Sequence, residues 1–372
     1  MILDACVLFS CFLYAVFLLS CLYYWNKIPL HPINFSKTKN IKAAIIVPAR
    51  NEEQNLTALL TSLTEQDYPV ELLEIIIVDD HSSDNTIEVA ENYFHEKKIT
   101  HGKILRSPGH SKKQAITFGI SQTGAEFIIT TDADTTRGKN WITSLVDEYS
   151  GSGSFFICGP LKVVSEGSLF GQLQTAETIG LGVMSAASIQ AGKPMMCNGA
   201  NLAFSKKVFE EVNGYEGSKS MSGDDTQLLL KVFEKYPDKI SWLKDKKSIV
   251  ETHAQTKAGD AFKQRRRWAS KIPRTLSLFT VLMAFLAWFV HALLLMQIVI
   301  VMSGGGFFVL ILALLMKTIP EIILLLLAGK FYNEKISPAL IFFSQPFYIL
   351  YIFLTGILLP IGNFSWKERR LQ

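Results

Sequence analysis

The sequence predicts an α/β domain, its sheet covered by helices on both faces, with membrane helices on either side of it along the chain. Three observations carry this. Short β-branched runs without helical period, Ile41–Pro48, Glu74–Asp80 and Glu126–Asp132, each end in polar residues. Helix-like stretches near 53–65, 84–97 and 111–122 lie between them. Continuous apolar strands alternating with amphipathic helices indicate a parallel sheet buried on both sides. Third, the apolar residues are segregated. Of 372 residues 49% are hydrophobic and the mean hydropathy is +0.23, yet residues 26–275 read as ordinary water-soluble chain. That block is long enough for one large domain with its own core.

The membrane segments come first in chain order. Residues 5–25 can span about 30 Å of hydrocarbon, and Asp4 is the single charge in the first 25 residues. A signal peptide would want a basic n-region and a small-residue cleavage site, and neither is present. Tyr23, Tyr24 and Trp25 instead read as an interfacial aromatic belt, followed by Lys27. Three further candidates follow the soluble block, at 277–301, 306–328 and 338–361, the first two separated by Gly304, Gly305 and Gly306. The second of these holds Lys317 and Glu321, one turn apart and able to pair. Charges at this depth face protein or a substrate path; the rival reading puts Lys317 at a helix end, at the interface. One helix before the domain and three after it would place the tail outside. The basic tail Trp366-Lys367-Glu368-Arg369-Arg370 belongs inside by the positive-inside rule. A re-entrant or interface-lying segment reconciles the two. The expected domains are an anchor at 1–28, a cytoplasmic catalytic domain at 40–260, an interfacial segment at 261–275 and a membrane region at 276–372 with about three helices.

A net charge of +4 is too small to argue for nucleic acid. The five cysteines, Cys6, Cys11, Cys21, Cys158 and Cys197, form no CxxC or Cys/His metal spacing and read as reduced thiols.

The polar clusters after each strand mark the expected site, because ligands in such sheets bind beyond the carboxyl ends of the strands. They are Ala49-Arg50-Asn51-Glu52, Asp79-Asp80-His81-Ser82 and Asp132-Ala133-Asp134. A DxD by itself is a weak signal. Past a buried strand, however, its two carboxylates can project together and offer hard oxygens to Mg²⁺ or Mn²⁺. Asp80 can accept hydrogen bonds from a base or ribose, whereas a helix-capping turn accounts better for Ser82, Ser83 and Asp84. Ser83 or Asp84 is the expected N-cap of the second helix. Lys112 and Lys113 stand at a helix N-terminus, against the dipole, where a phosphate would compensate them. Asp224 and Asp225 open a helical stretch at 225–235, as caps or as a general base. Gln264-Arg265-Arg266-Arg267-Trp268 precedes the membrane block. Lipid headgroups account for three arginines, but not for Gln264 and Trp268 at this spacing. Arginine also binds diphosphate bidentately.

This set resembles the membrane-embedded branch of the family 2 inverting glycosyltransferases, which includes cellulose, hyaluronan and poly-N-acetylglucosamine synthases and ceramide glucosyltransferase. The resemblance covers about residues 41–275. It rests on five motifs in order: Val47-Pro48-Ala49-Arg50-Asn51-Glu52, Val78-Asp79-Asp80, the DxD, Asp224-Asp225 and QxxRW. It implies a GT-A, Rossmann-like mixed sheet with helices on both faces, plus transmembrane helices. It implies a nucleotide-sugar donor, UDP by family habit, and a Mn²⁺ or Mg²⁺ cofactor. By position, Pro48, Ala49, Asn51 and Glu52 would line the nucleotide pocket, Asp80 would meet the base and Lys112 would reach the donor. Asp132 would contact ribose or phosphate, and Asp134, with Asp132, would ligate the metal. Asp225 would be the base beside Asp224. Gln264, Arg267 and Trp268 would hold the diphosphate and border the acceptor. Cys197, Asn198 and Gly199 fall where synthases carry a Phe-Cys-Gly type acceptor loop, and Met196-Cys197-Asn198-Gly199 departs from that pattern. The expected acceptor is a membrane lipid or lipid-linked sugar at the cytoplasmic face of a cell inner or plasma membrane, with room for a partner membrane subunit. A processive polysaccharide synthase is the alternative. A catalytically dead relative would have lost an acid, and none is lost. A transporter would not need so large a soluble block.

Overall fold

A computed structural model describes residues 2–30, 40–217, 224–269, 277–358, 364–366 and 369–371. The chain forms two compact units. One comprises Ile28–Val164, Met196–His253 and Ser365–Gln372, and the other Met1–Lys27, Ser165–Met195 and Ala254–Phe364.

The first unit is built on a seven-stranded sheet. Its strands are β1 (Ala43–Ala49), β2 (Leu73–Asp79), β3 (Gly102–Arg106), β4 (Phe127–Thr130), β6 (Phe156–Cys158), β8 (Leu202–Ser205) and β9 (Ile240–Trp242), in the order β3-β2-β1-β4-β8-β6-β9. Strands β1 to β4 are parallel, while β8 runs antiparallel to both β4 and β6, so the sheet is mixed. Strand β3 falls in a stretch where the sequence signals only a connection. Its residues Gly-Lys-Ile-Leu-Arg are half polar and half-buried, as an edge strand allows. Helices α2 (Leu56–Thr64), α3 (Thr86–Glu96), α4 (Lys112–Ser121) and α5 (Trp141–Ser152) fill the connections. Leu56, Leu59, Leu60 and Leu63 recur at helical spacing, and all four are buried against Ile45, Ile75, Ile77 and Trp141. Full burial of each such side chain stabilises by about 1.5–3 kcal/mol. Strands β5 (Thr135–Arg137), β10 (Val250–His253) and β7 (Leu161–Val164) form a second, three-stranded sheet. The α7 (Lys206–Glu211) and α8 (Asp224–Lys235) helices complete the unit.

The N-cap of α3 is Asn85, one or two residues beyond the expected Ser83 or Asp84. Asp84 still does the capping work, because its Oδ1 accepts from the Thr86 amide at 3.1 Å. Desolvation pushes the Asp84 carboxyl up, but the hydrogen bonds from the Thr86 hydroxyl and from the Glu53 and Thr86 amides together hold it below its ordinary value.

The second unit is helical: α1 (Ile2–Lys27), α6 (Leu169–Gln190), α9 (Ala258–Ala269), α10 (Leu278–Met302), α11 (Phe308–Tyr332), α12 (Pro338–Phe343) and α13 (Gln345–Ile357). Three of them, α1, α10 and α11, are long and apolar enough to cross a membrane. The expected fourth span at 338–361 is instead broken in two at Ser344. Its course is fixed by contacts. Trp25 packs on Phe331, so α11 ends beside the Lys27 end of α1. Gln345 then bonds Lys317 deep in the bundle. Trp288 Nε1, in the first half of α10, donates to the Phe353 carbonyl, and Arg266 of α9 donates to the Leu358 carbonyl. The α12–α13 pair therefore folds back within the helical unit as a hairpin, with both ends toward the Lys27 end of α1. Trp25 is 2% exposed and belongs to the bundle rather than to an aromatic belt; Tyr23 and Tyr24 remain exposed.

Candidate active site

Parallel register sets the first part of the site. Ala49 pairs with Asp79 and Ile46 with Thr130, so the loops after β1, β2 and β4 leave the sheet side by side. The first two are laced together. Arg50 Nη1 donates to the Asp80 carbonyl at 2.8 Å, and Asn51, at φ 50°, accepts the Ser83 amide on its Oδ1 at 2.9 Å. The Glu52 amide donates to Thr86 Oγ1 at 2.8 Å, and its side-chain Oε2 accepts from Asn55. Asp80 is 2% exposed, while Asp79 accepts the Ser82 amide and closes the turn. Pro48 and Ala49 lie on β1 itself.

Strand β8 contributes the second part because it is reversed. An antiparallel strand presents its N-terminal end where its neighbours end, and here Leu202 pairs with Thr130. Residues 197–201 are thereby delivered to the DxD loop. Thr130 Oγ1 donates to the Gly199 carbonyl at 3.2 Å and Thr131 Oγ1 to the Ala200 carbonyl at 2.8 Å. The Gly199 amide donates to Asp225 Oδ2 at 3.0 Å. A Cβ on Gly199 would stand 2.5 Å from Asp225 Oδ1, so only glycine admits the carboxylate this close. DxD loop, candidate acceptor loop and candidate base are thus joined by three hydrogen bonds. The Cys197 amide lies 3.5 Å from Thr226 Oγ1, and Asn198 Oδ1 accepts the Ala200 amide. Burial pushes the Cys197 thiol well above its ordinary value, helped by the neighbouring Cys158 and Asp225. Backbone is described from Asp224 onward in this helix; the Asp224 side chain and Gly223 lie outside the described residues.

Lys112 lies in the first turn of α4, behind an N-cap Ser111 that accepts the Gln114 amide. Its Nζ pairs with Asp132 Oδ1 at 2.5 Å. Asp134 is exposed, and its carbonyl accepts from Thr252. Among the described residues no three His, Cys, Asp or Glu side chains gather as a closed metal cage. Two carboxylates one residue apart still fit Mg²⁺ or Mn²⁺, which bind through one or two carboxylates with substrate phosphates and water completing the shell.

A polar ladder beneath the DxD is invisible to motif reasoning. Thr135 Oγ1 donates to the Asp132 carbonyl at 2.6 Å, and Arg137 Nη2 donates to the Thr131 and Thr135 hydroxyls. The Arg137 guanidinium lies 4.7 Å over the Trp141 ring, whose Nε1 donates to Asn201 Oδ1. Burial lowers Arg137 to about 9, against the pull of Asp132. The threonines flanking the DxD are the only trace of this ladder in the sequence.

Gln264, Arg267 and Trp268 lie on α9, in the helical unit. The arginine cluster is not a uniform lipid-facing patch. Arg265 is 5% exposed and paired with Glu177, and Arg266 is bonded to α13.

A mixed sheet with acidic loops at its carboxyl edge is the architecture of a GT-A domain, and three helices elsewhere in the chain are long and apolar enough to cross a membrane. Residues 44–212, a little under half of the chain, match the model for glycosyl transferase family 2. The chain is 27% identical over 248 residues to the probable glycosyltransferase YdaM of Bacillus subtilis, covering 61% of this chain and 54% of that protein. It is 24% identical over 234 residues to the poly-β-1,6-N-acetyl-D-glucosamine synthase of Staphylococcus epidermidis, covering 61% and 53%. Over 130 residues it is 30% identical to the undecaprenyl-phosphate 4-deoxy-4-formamido-L-arabinose transferase of Yersinia pestis, covering 35% and 39%. The chain therefore spans about half or less of the curated relatives it matches. Among solved structures, the mannosyltransferase PcManGT of Pyrobaculum calidifontis, in complex with GDP-Man and Mn²⁺, shares the fold. Its TM-score is 0.60 at 15% identity, over 96% of this chain and 99% of that one.

Proposed function

We propose that this protein is a family 2 glycosyltransferase that moves a sugar from a nucleotide-sugar donor to a lipid or lipid-linked acceptor at the cytoplasmic face of the membrane, with inversion. The observation that carries it is the Asp225–Gly199 bond beside the DxD loop. A carboxylate held at a backbone amide, next to the acids that would meet the diphosphate, is in place to take the acceptor proton. The hydroxyl oxygen attacks the anomeric carbon from the face opposite the diphosphate, the bond to the diphosphate oxygen breaks, and the proton goes to Asp225. Pro48, Ala49, Asn51, Glu52 and Asp80 bind the nucleoside, and Lys112 reaches the donor. Asp132 and Asp134 are the residues that would hold Mn²⁺ or Mg²⁺, and the ion would supply charge neutralisation for the leaving diphosphate. Gln264, Arg267 and Trp268 are assigned to the diphosphate and the acceptor, and Cys197, Asn198 and Gly199 to the acceptor. The Yersinia relative, named for a polyprenyl-phosphate acceptor, supports a lipid. The Staphylococcus relative, named as a polymer synthase, favours the alternative of a processive polysaccharide synthase.

The test is transfer of label from a panel of nucleotide sugars into total membrane lipid by purified protein with Mn²⁺ or Mg²⁺, with Asp225→Asn as control. Label in the organic phase, reduced by about 10²–10⁴ in the variant, supports the lipid reading. Label in insoluble polymer sinks it in favour of the synthase.

A further inference from the structure

Helix α6 carries one charged residue, Glu177, among otherwise apolar, small and neutral polar side chains. Isolated acids in such a helix are costly and rarely idle. The Glu177 carboxylate is shared between two partners from different parts of the chain. Its Oε2 accepts from Arg265 Nε at 2.7 Å, and its Oε1 accepts from the Tyr351 hydroxyl of α13 at 3.1 Å. Arg265 is buried; its Nη2 has no hydrogen-bond partner among the described residues, and its remaining contacts are on its own helix. Nη1 donates to Gln264 Oε1 at 2.5 Å, and the guanidinium plane lies 4.3 Å over the Trp268 ring. Two of the three residues that define QxxRW are thus held by the residue between them, which is itself held by Glu177.

The consequence is chemical as well as mechanical. With its carbonyl oxygen engaged by Arg265, the Gln264 amide turns its Nε2, the donating end, away from the guanidinium. With one ring face under Arg265, Trp268 is half-buried and its ring plane is fixed by that contact. A guanidinium is a planar fork, and a carboxylate that fixes it fixes what its other arms touch.

We propose that Glu177 is a positioning residue for the QxxRW segment: acting through Arg265, and itself oriented by Tyr351 of the α12–α13 hairpin, it sets the Gln264 amide and the Trp268 ring for the donor diphosphate. This rests on the reading above in which QxxRW binds the donor. The assignment reaches beyond the motif, to a residue some ninety positions upstream in the chain.

The experiment uses the full chain in detergent and reads binding of UDP, and of GDP in parallel, each with Mn²⁺, alongside thermal unfolding. The proteins are wild type, Glu177→Gln, Tyr351→Phe, Gln264→Ala and the Glu177→Gln/Gln264→Ala pair. The expected result is that Glu177→Gln and Gln264→Ala each weaken binding by roughly threefold or more, and that the pair is no weaker than its worse member, since groups acting through one another are not additive. Tyr351→Phe leaves the ion pair intact, so it should fold and weaken binding in the same sense by a smaller factor. That arm decides the matter if Glu177→Gln unfolds, and an unchanged affinity there would then overturn the proposal. Additive losses in the pair, or an effective Gln264→Ala beside a neutral Glu177→Gln, overturn the positioning role and leave the QxxRW reading standing. A neutral Gln264→Ala, or a wild type that binds neither nucleotide, overturns both.

Discussion

At the scale of single residues, Gly199 and Cys197 carry the sharpest consequences. Gly199→Ala places a methyl group against the Asp225 carboxylate, which has to swing off the backbone amide. Transfer should fall by on the order of 10² or more, while nucleotide affinity and the unfolding temperature stay near wild type; a large loss of nucleotide affinity would move Gly199 out of the acceptor side. Cys197 tests the local electrostatics. Its raised thiol pKa leaves little thiolate near neutrality, since the charged form is the one burial disfavours. Iodoacetamide at pH 8 should modify it on the order of tenfold or more slowly than an unperturbed thiol, with the rate climbing as pH rises, and peptide mass spectrometry reads this directly. Of the candidate site, the acids of contiguous motifs, Asp132 and Asp134, Asp80 and Asp225, can be proposed from the sequence alone. The ladder of Thr131, Thr135, Arg137, Trp141 and Asn201 cannot, because it is assembled by sheet register. Nothing local to Arg137 says that it will be buried against an indole.

At the scale of elements, the periodicities located β1, β2, β4 and the helices between them to within a few residues. They missed β3, whose edge position removes the apolar signature, and the break within the last apolar segment. A hydropathy window from 338 to 361 is long enough to span, and only the Ser344-Gln345-Pro346 interruption, with its polar partners in α11, turns it back. The polar contact at that turn explains the charges inside α11. Lys317 is fully buried, pairs with Glu321 at 2.8 Å and with Gln345 at 2.6 Å, and so is not at a helix end. Tyr14 of α1 closes the group by donating to Glu321 at 3.0 Å. Lys317→Met leaves Glu321 buried beside neutral groups and should destabilise the detergent-solubilised protein by about 3–5 kcal/mol. Lys317→Met with Glu321→Gln should recover most of that loss. Equal unfolding of the single and double variants would show that the pair does not hold the helices together.

At the scale of the whole molecule, the helical unit decides sidedness. Three long helices and a hairpin that returns on its own side bring the chain out at Leu358 on the side where Lys27 leads into β1. A single cysteine placed in the tail after residue 358 and one placed after residue 40 should therefore share accessibility to a membrane-impermeant maleimide in intact cells, both protected. A tail cysteine labelled from outside would require the last segment to cross. Among the described helices, a bilayer crossed by the three long ones would meet the hairpin in the half nearer Lys27 and would give up more area to the helical unit there, since a helix with its side chains is about 10–12 Å across.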